Sequence, residues 1–345
     1  MGLYALLGVA LVLVGGAMEG SFVFPLKLTP KWGWENTWGA GSLLALLIIP
    51  WPVAFLTVPH LMDVYGASSW KSLLISFAFG CGWGLGAIFL GLGVSMLGLS
   101  LGISLISAIN AVAGSVVPLG MQHPDQFARP AGVVLALGVA VMIVGIALCG
   151  WAGKIKEASS STPSQGTGQT EMSHFKIGVL LCIVSAILSS LVNFALIFGV
   201  EIRDEALHHG SGLVGANNAL WVPAFTGNYL VNIAYCLYLV YRRRSFRNFF
   251  QPGVGGYWLW ALFMGATWAG GIVVYGLGVA YLGQLGAFLG FPMMLIGSIL
   301  AANALGVLSG EWTGASSKAK RLMTIGVGVL ILAVCVLAYS NQLIS

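Results

Sequence analysis

Long runs of residues with almost no charge dominate this sequence of 345 residues. A helix needs about 20 mostly apolar residues to cross the hydrocarbon core of a membrane. Ten such runs occur between polar or turn-forming residues, with approximate limits at 3–25, 38–59, 72–93, 95–118, 131–151, 175–199, 218–240, 257–279, 281–307 and 322–341. The sequence therefore predicts an all-α integral membrane protein with ten transmembrane helices.

The low charge also excludes several classes of protein. Only 7% of the residues are charged, whereas a soluble domain carries about a quarter. A soluble enzyme and a secreted disulfide scaffold are therefore excluded. Because the net charge of +5 comes from loop residues, we expect no nucleic-acid partner. The five cysteines lie inside apolar runs without Cys-x-x-Cys spacing, so we interpret them as packed thiols. We expect no metal or other cofactor, and a monomer surrounded by membrane lipid.

The distribution of Lys and Arg between the runs predicts the orientation of the chain. Alternate loops, beginning with the loop between the first and second runs, hold twelve of these residues, and the other loops hold three. The twelve are Lys27, Lys31, Lys154, Lys156, Lys176, Arg242, Arg243, Arg244, Arg247, Lys318, Lys320 and Arg321. Since basic loops stay in the cytoplasm, both termini are predicted to be extracytoplasmic.

An internal repeat relates the two halves of the chain. Residues 80–98 aligned with 265–283, an offset of 185, match at nine of 19 positions, including Trp83 with Trp268. The first and sixth runs align at a smaller offset, about 170, which leaves about 15 additional residues, expected in a loop at 200–217. We divide the chain into a first half (1–152), a polar cytoplasmic linker (153–174) and a second half (175–345). With five spans each, the halves form an inverted repeat, which is typical of alternating-access transporters.

Glu19 is the one carboxylate placed well inside a predicted span. An ionised side chain costs at least about 2.5 kcal/mol at the centre of a membrane, so such an acid suggests a function. Burial favours its protonated form, and a proton can then load and leave at cellular pH. The alternative is that Glu19 lies nearer the interface or is a hydrogen-bonded packing residue. We predict that Glu19 is the proton-coupling group.

Neutral polar groups and two tryptophans form the rest of the predicted site. A sugar ring needs amides for its hydroxyls and an aromatic surface for its apolar face, whereas an anion would need a buried Lys or Arg, which the interiors of the runs lack. For each amide, helix packing is an equally good explanation. The predicted substrate-binding residues are Trp83, Asn110, Asn193, Trp268 and Gln284, between the first, third, fourth, sixth, eighth and ninth helices.

Three further tryptophans surround Glu35, near the start of the second run. We interpret Trp32, Trp34 and Trp38 as an aromatic belt at the membrane interface. No arrangement of a nucleophile with a base, and no His/carboxylate pair, supports an enzyme. The leading hypothesis from the residues is proton-coupled import of a monosaccharide. The alternative is a proton-coupled exporter of a cationic or amphipathic metabolite or drug, with the tryptophans binding the cation.

Several short motifs resemble the L-rhamnose/proton symporter family of the drug/metabolite transporter superfamily. They are GSFVFPLK (20–27), KWGWENTW (31–38), Pro50-Trp51 and Gly310-Glu-Trp312. The resemblance covers essentially the whole chain. It implies a bacterial inner-membrane protein of two five-helix halves that imports a deoxyhexose with a proton.

Two features depart from this resemblance. Members of the family need not have an acid at Glu19, and its position is also similar to that of the membrane glutamate of the small multidrug resistance proteins, which exchange protons for cations. Several relatives in the superfamily keep both termini in the cytoplasm, whereas the Lys and Arg count predicts the opposite. We follow the Lys and Arg count, and the exporter stays open as the alternative.

Overall fold

The computed structural model describes residues 3–160, 168–283 and 285–343, and throughout these residues its regular elements are helical. Fifteen α-helices occur: α1 (Leu3–Ser21), α2 (Trp34–Leu43), α3 (Pro50–Thr57), α4 (Leu61–Ala67), α5 (Trp70–Leu97), α6 (Leu99–Ala111), α7 (Val117–Gln122), α8 (Pro130–Ser160), α9 (Gly168–Ser189), α10 (Leu191–Phe198), α11 (Val200–His208), α12 (Leu213–Arg243), α13 (Tyr257–Leu282), α14 (Gly286–Leu308) and α15 (Ser317–Gln342). The predicted all-α architecture is confirmed.

Nine helical segments among the described residues are long and apolar enough to cross a membrane. Some of them join shorter helices, such as Trp34–Thr57 and Phe175–His208. The 31-residue helix α12 is not one of the nine. Its four asparagines lower its hydropathy, although half of its residues are buried in the protein. The chain is therefore a multi-pass membrane protein, and the tenth span stays a prediction.

Two spans contain a short π-helical segment directly before or close to a proline. The segment Leu44–Ile48 precedes Pro50, and Val112–Val116 precedes Pro118. A proline inside a helix lacks an N–H and crowds the carbonyl four residues earlier. The wider π turn accommodates this local disruption, and Ile49 N–H donates to the Leu44 carbonyl instead. Both helices consequently continue across the proline.

The prediction of a loop at 200–217 is wrong for most of these residues. Residues Val200–His208 form helix α11, and α12 already begins at Leu213. Ile202 and Ala206, one turn apart on α11, are fully buried against residues of α3, α4 and α12. This apolar stripe explains why a charged segment is helical.

At the midpoint of the chain, α8 continues to Ser160 and α9 begins at Gly168, while residues 161–167 of the predicted linker lie outside the described residues.

Helix α1 packs against α13 and α14, far along the chain, and α9 packs against α5 and α6. Glycines allow these close approaches. A Cβ atom added to Gly15 would lie 2.7 Å from the carbonyl oxygen of Gly271, and one added to Gly86 would lie 2.8 Å from the backbone nitrogen of Ser189. Each half of the sequence thus contributes its first helix to the packing of the other half. The long helices α8 and α15 pack together.

Candidate substrate site

A cluster of aromatic side chains fills the centre of the helices. Trp268 of α13 lies in its middle, with ring centroids 4.8 Å from Phe22, 5.4 Å from Trp38 and 6.1 Å from Trp83. Trp83 and Trp268 are 8% and 2% exposed, and both lie near the middle of their helices. The structure therefore brings the predicted tryptophan pair into edge-to-face contact. We refer to Phe22, Trp38, Trp83 and Trp268 as the aromatic cluster.

Trp38 corrects the predicted interfacial belt. It is only 7% exposed and contacts both Phe22 and Trp268. Trp34 stacks on Trp38 at 5.1 Å between centroids, and Trp32 packs against Phe249 and Tyr257 in a separate apolar cluster. A tryptophan near the end of a run is typical of the interface, yet α2 enters the protein directly from its first turn. The interpretation of Trp38 as an interfacial residue is therefore wrong.

Glu19 lies on α1, one helical turn before Phe22 of the aromatic cluster. Its Oε1 atom is buried and has no hydrogen-bond partner in the described part of the chain. The carboxyl group faces Gly271 of α13, where an added Cβ atom would lie 3.0 Å from Oε1. Gly271 lies one turn after Trp268 and one turn before Tyr275. An unpaired charge in this setting is costly, so the packed arrangement suits the neutral carboxylic acid.

Asn193 is completely buried, and its amide binds three protein groups. Its Nδ2 donates to the carbonyl oxygens of Gly114 at 2.6 Å and Ala287 at 3.1 Å, and its Oδ1 accepts from the Tyr275 hydroxyl at 2.5 Å. These bonds join the π segment Val112–Val116 to α13 and to the start of α14. In this arrangement Asn193 binds protein rather than presenting a free polar group. Its role in substrate binding stays a prediction.

Of the two remaining predicted site residues, Asn110 and Gln284, the structure describes Asn110. Asn110 of α6 is 8% exposed, and its Oδ1 is buried without a hydrogen-bond partner among the described residues. It lies one turn before Gly114, whose carbonyl accepts from Asn193. Gln284 lies outside the described residues. An apolar surface groove of about 400 Å³ runs past Ile109 and Val112, but its lining has no polar side chain to bind a sugar.

Two buried asparagines were not among the predicted site residues, although they border the aromatic cluster. Asn228 and Asn232 of α12 are 0% and 1% exposed. The Trp38 indole N–H donates to Asn232 Oδ1 at 2.7 Å. Their spacing of four residues, which places both side chains on one face of a helix, is the sequence signal for this pair. Polar spacing within one helix does not reveal which neighbour the pair faces.

Ion pairs join the basic loops at one face of the protein. Glu311 pairs with Lys27 and, at 3.5 Å, with Lys156, and Glu35 Oε2 pairs with Arg243 at 2.8 Å. Burial raises the pKa of the Glu311 carboxyl, but the hydrogen bond from Lys27 and the charges of Lys27 and Lys156 outweigh it. The pKa of Glu311 therefore lies below its ordinary value. Residues near the ends of α1, α8 and α14 are thus connected at this face, as are residues near the ends of α2 and α12.

Comparisons with known proteins give one consistent family. The model of the L-rhamnose-proton symport protein (RhaT) family matches residues 1–343. A protein named L-rhamnose-proton symporter from Yersinia pestis (strain Pestoides F) is 28% identical over 340 residues, covering 95% of this chain and 96% of the relative. The protein of the same name from Yersinia pseudotuberculosis serotype O:3 (strain YPIII) has the same identity and coverage.

Proposed function

The chain belongs to the L-rhamnose-proton symport protein family, and from this membership we propose that it imports a monosaccharide together with a proton by alternating access. It is a transporter and not an enzyme. We further propose that the sugar is L-rhamnose or a similar deoxyhexose, as the names of its relatives suggest, and that the protein acts in a bacterial inner membrane. The cation exporter is not favoured, because the family and the relatives are proton symporters of a neutral sugar.

The observation that carries this function is the position of Glu19 beside the aromatic cluster. Phe22, directly after the end of α1, stacks on Trp268 of α13. These two residues lie about one helical turn along the chain from Glu19 and from Gly271, which the carboxyl group faces. An aromatic surface suits the apolar face of a sugar ring, and the acid can carry the proton. Proton binding drives accumulation only if it shifts the equilibrium between outward- and inward-facing states differently with and without sugar. A carboxyl group packed against a moving helix can couple its protonation to that equilibrium.

The test of this role is Glu19→Gln, which retains the shape of the protonated acid. In proteoliposomes with an imposed pH gradient, the variant should bind and exchange L-rhamnose but lose uphill, pH-dependent uptake. The control is Asp63→Asn, because Asp63 is a mostly exposed acid of α4. Uphill uptake by Glu19→Gln with unchanged pH dependence would remove Glu19 from the mechanism.

We also propose that the ten predicted spans form a 5+5 inverted repeat with the fold of the drug/metabolite transporter superfamily, α12 being the tenth span. Pairs of glycines related by the 185-residue offset support this repeat. Gly93 of α5 faces Cys182 and Gly178 of α9, and its equivalent Gly278 of α13 faces Val12 and Gly8 of α1. The contacted residues are themselves related by an offset of 170. Gly98 and Gly283, which follow α5 and α13, both have positive φ, 86° and 83°.

The directions of the helices support the inversion. Helix α12 runs parallel to α5, because Gly80 faces Ala224 and Gly84 faces Asn228. It runs antiparallel to the second span, because Trp38 binds Asn232 near one end and Thr57 binds Asn218 near the other. Helix α1 runs antiparallel to α13, and residues 22–33 alone join α1 to the second span. The first and second spans therefore run in opposite directions. Together these relations give α5 and α13 opposite directions.

By the same repeat, Ser189 of α9 is the equivalent of Glu19. Ser189 faces Gly86, and Glu19 faces Gly271, at positions related by the 185-residue offset. Only the first half therefore has an acid at this point. We propose that this asymmetry gives the transporter a single proton site.

For the orientation, we propose extracytoplasmic termini, with the ion-paired basic face in the cytoplasm. A reporter active only in the cytoplasm, fused after Ser345, should give no signal. The matched control is the same reporter inserted into the linker at 161–167, which should be active. A strong signal from the fusion after Ser345 would reverse the orientation.

A further inference from the structure

Asn228 and Asn232 form one end of a hydrogen-bonded chain whose direction is fixed. The Trp38 indole nitrogen can only donate, so the Asn232 atom that meets it must be the amide oxygen. The other side of that amide is then Nδ2, which donates to the backbone carbonyl and to Oδ1 of Asn228. Asn228 therefore turns its own Nδ2 away from Asn232.

The Nδ2 group of Asn228 is the unpaired end of this chain within the described part of the protein. Asn228 is completely buried, and its Nδ2 makes no hydrogen bond among the described residues. Leaving a buried donor unpaired costs about 1–3 kcal/mol. Asn193 shows the opposite case, because both ends of its amide are bonded to protein groups. A role in helix packing alone explains Asn193 but leaves the donor of Asn228 unexplained.

The surroundings of Asn228 indicate what kind of acceptor it can meet. Its backbone carbonyl and Oδ1 lie beside Gly84 of α5, next to Trp83. Phe225, one turn earlier on α12, contacts Trp83 at 6.1 Å between centroids. The chain of amides begins at Trp38, which contacts Trp268. The donor thus belongs to an aromatic environment shared by α2, α5, α12 and α13.

We propose that Asn228 is a specificity-determining residue that donates a hydrogen bond to one hydroxyl oxygen of the sugar, and that Trp38 and Asn232 hold its amide in the donating orientation. This inference rests on the proposed function. It adds α2 and α12 to the helices predicted to border the site. The aromatic rings suit the apolar face of a deoxyhexose, and a neutral amide donor suits a hydroxyl oxygen as the acceptor.

The experiment compares binding of L-rhamnose with binding of analogues that each lack one ring hydroxyl, by calorimetry on the purified full-length protein. Asn228→Ala should weaken L-rhamnose binding about tenfold or more, since a hydrogen bond is lost. For the one analogue that lacks the hydroxyl bound by Asn228, Asn228→Ala and the unchanged protein should have the same affinity. Asn303→Ala is the matched control, because Asn303 is a span amide that donates to its own helix at Ile299. That variant should keep the selectivity of the unchanged protein.

Trp38→Phe provides a second test that retains an aromatic ring. Without the indole N–H, the amides of Asn232 and Asn228 are free to turn over, so discrimination between the sugar and the same analogue should fall. If Asn228→Ala does not fold, Trp38→Phe and Asn228→Gln decide the question. Unchanged selectivity in the folded variants would overturn the role of Asn228. If the unchanged protein binds none of the sugars, the proposed function itself fails.

Discussion

Replacing Gly80 with alanine should force α5 and α12 apart. A Cβ atom at Gly80 would lie 2.7 Å from the carbonyl carbon and 2.8 Å from the Cα of Ala224, and would overlap the carbonyl oxygen. These are backbone atoms, so no side-chain rotation can relieve the overlap. Overpacking of this kind typically costs about 1–3 kcal/mol. With the entropy of unfolding scaled to 345 residues, that cost lowers the unfolding midpoint by roughly 1.5–4 °C.

Gly91 on the same helix provides the matched control, because an added Cβ atom there meets no atom within 4 Å. Gly91→Ala should change the midpoint by less than about 1 °C, as surface substitutions generally do. Both variants are purified in the same detergent, and tryptophan fluorescence is followed during heating. Gly80→Val should lower the midpoint further than Gly80→Ala. Equal midpoints for the two alanine variants would refute the argument that close backbone contact at Gly80 holds these helices together.

Two other variants test the polar contacts. Because the pKa of Glu311 is held below its ordinary value in the folded protein, its contribution to stability is present at neutral pH and is lost as the pH falls through the folded-state pKa. The midpoint difference between the unchanged protein and Glu311→Gln should therefore shrink below about pH 4, and a difference that grows on acidification would contradict the pairing with Lys27. Tyr275→Phe leaves Asn193 Oδ1 without its donor and should cost about 1–3 kcal/mol in thermal unfolding. Tyr4→Phe, at an exposed position, is its control, and equal midpoints would contradict the hydrogen bond.

The helical spans and the contact between Trp83 and Trp268 could be predicted from the sequence, for different reasons. Uncharged runs of spanning length have few alternatives to the helix, because backbone polar groups must be satisfied within the membrane. The tryptophan contact was accessible because Trp83 and Trp268 occupy matching positions when residues 80–98 are aligned with 265–283. That match placed both residues in one predicted site, and their direct contact is seen in the structure.

Other features depend on tertiary contacts that no local pattern contains. Helix α11 is rich in charge, and its place in the folded protein depends on the packing of Ile202 and Ala206 and on the hydrogen bonds that Glu201 accepts from Ser69 and Ser72. The central position of Trp38 depends on the angle at which α2 enters the helices. The donating orientation of Asn228 is set through Asn232 by a tryptophan almost 200 positions away. Composition and spacing identify these amides but leave their partners open.

The packing of α1 against α13 and α14 has a consequence for how the chain assembles during synthesis. Gly15 and its neighbour Gly271 are separated by about 250 residues, which a ribosome making 5–20 residues per second adds in roughly 10–50 s. Throughout that interval α1, with Glu19 on it, has already been made and lacks the surface on which it will finally pack. Lipid or neighbouring early helices must cover its glycine-rich face until α13 and α14 arrive. Helix α1 thus meets its native neighbours long after its own synthesis, and the surroundings of Glu19 are complete only when α13 has been made.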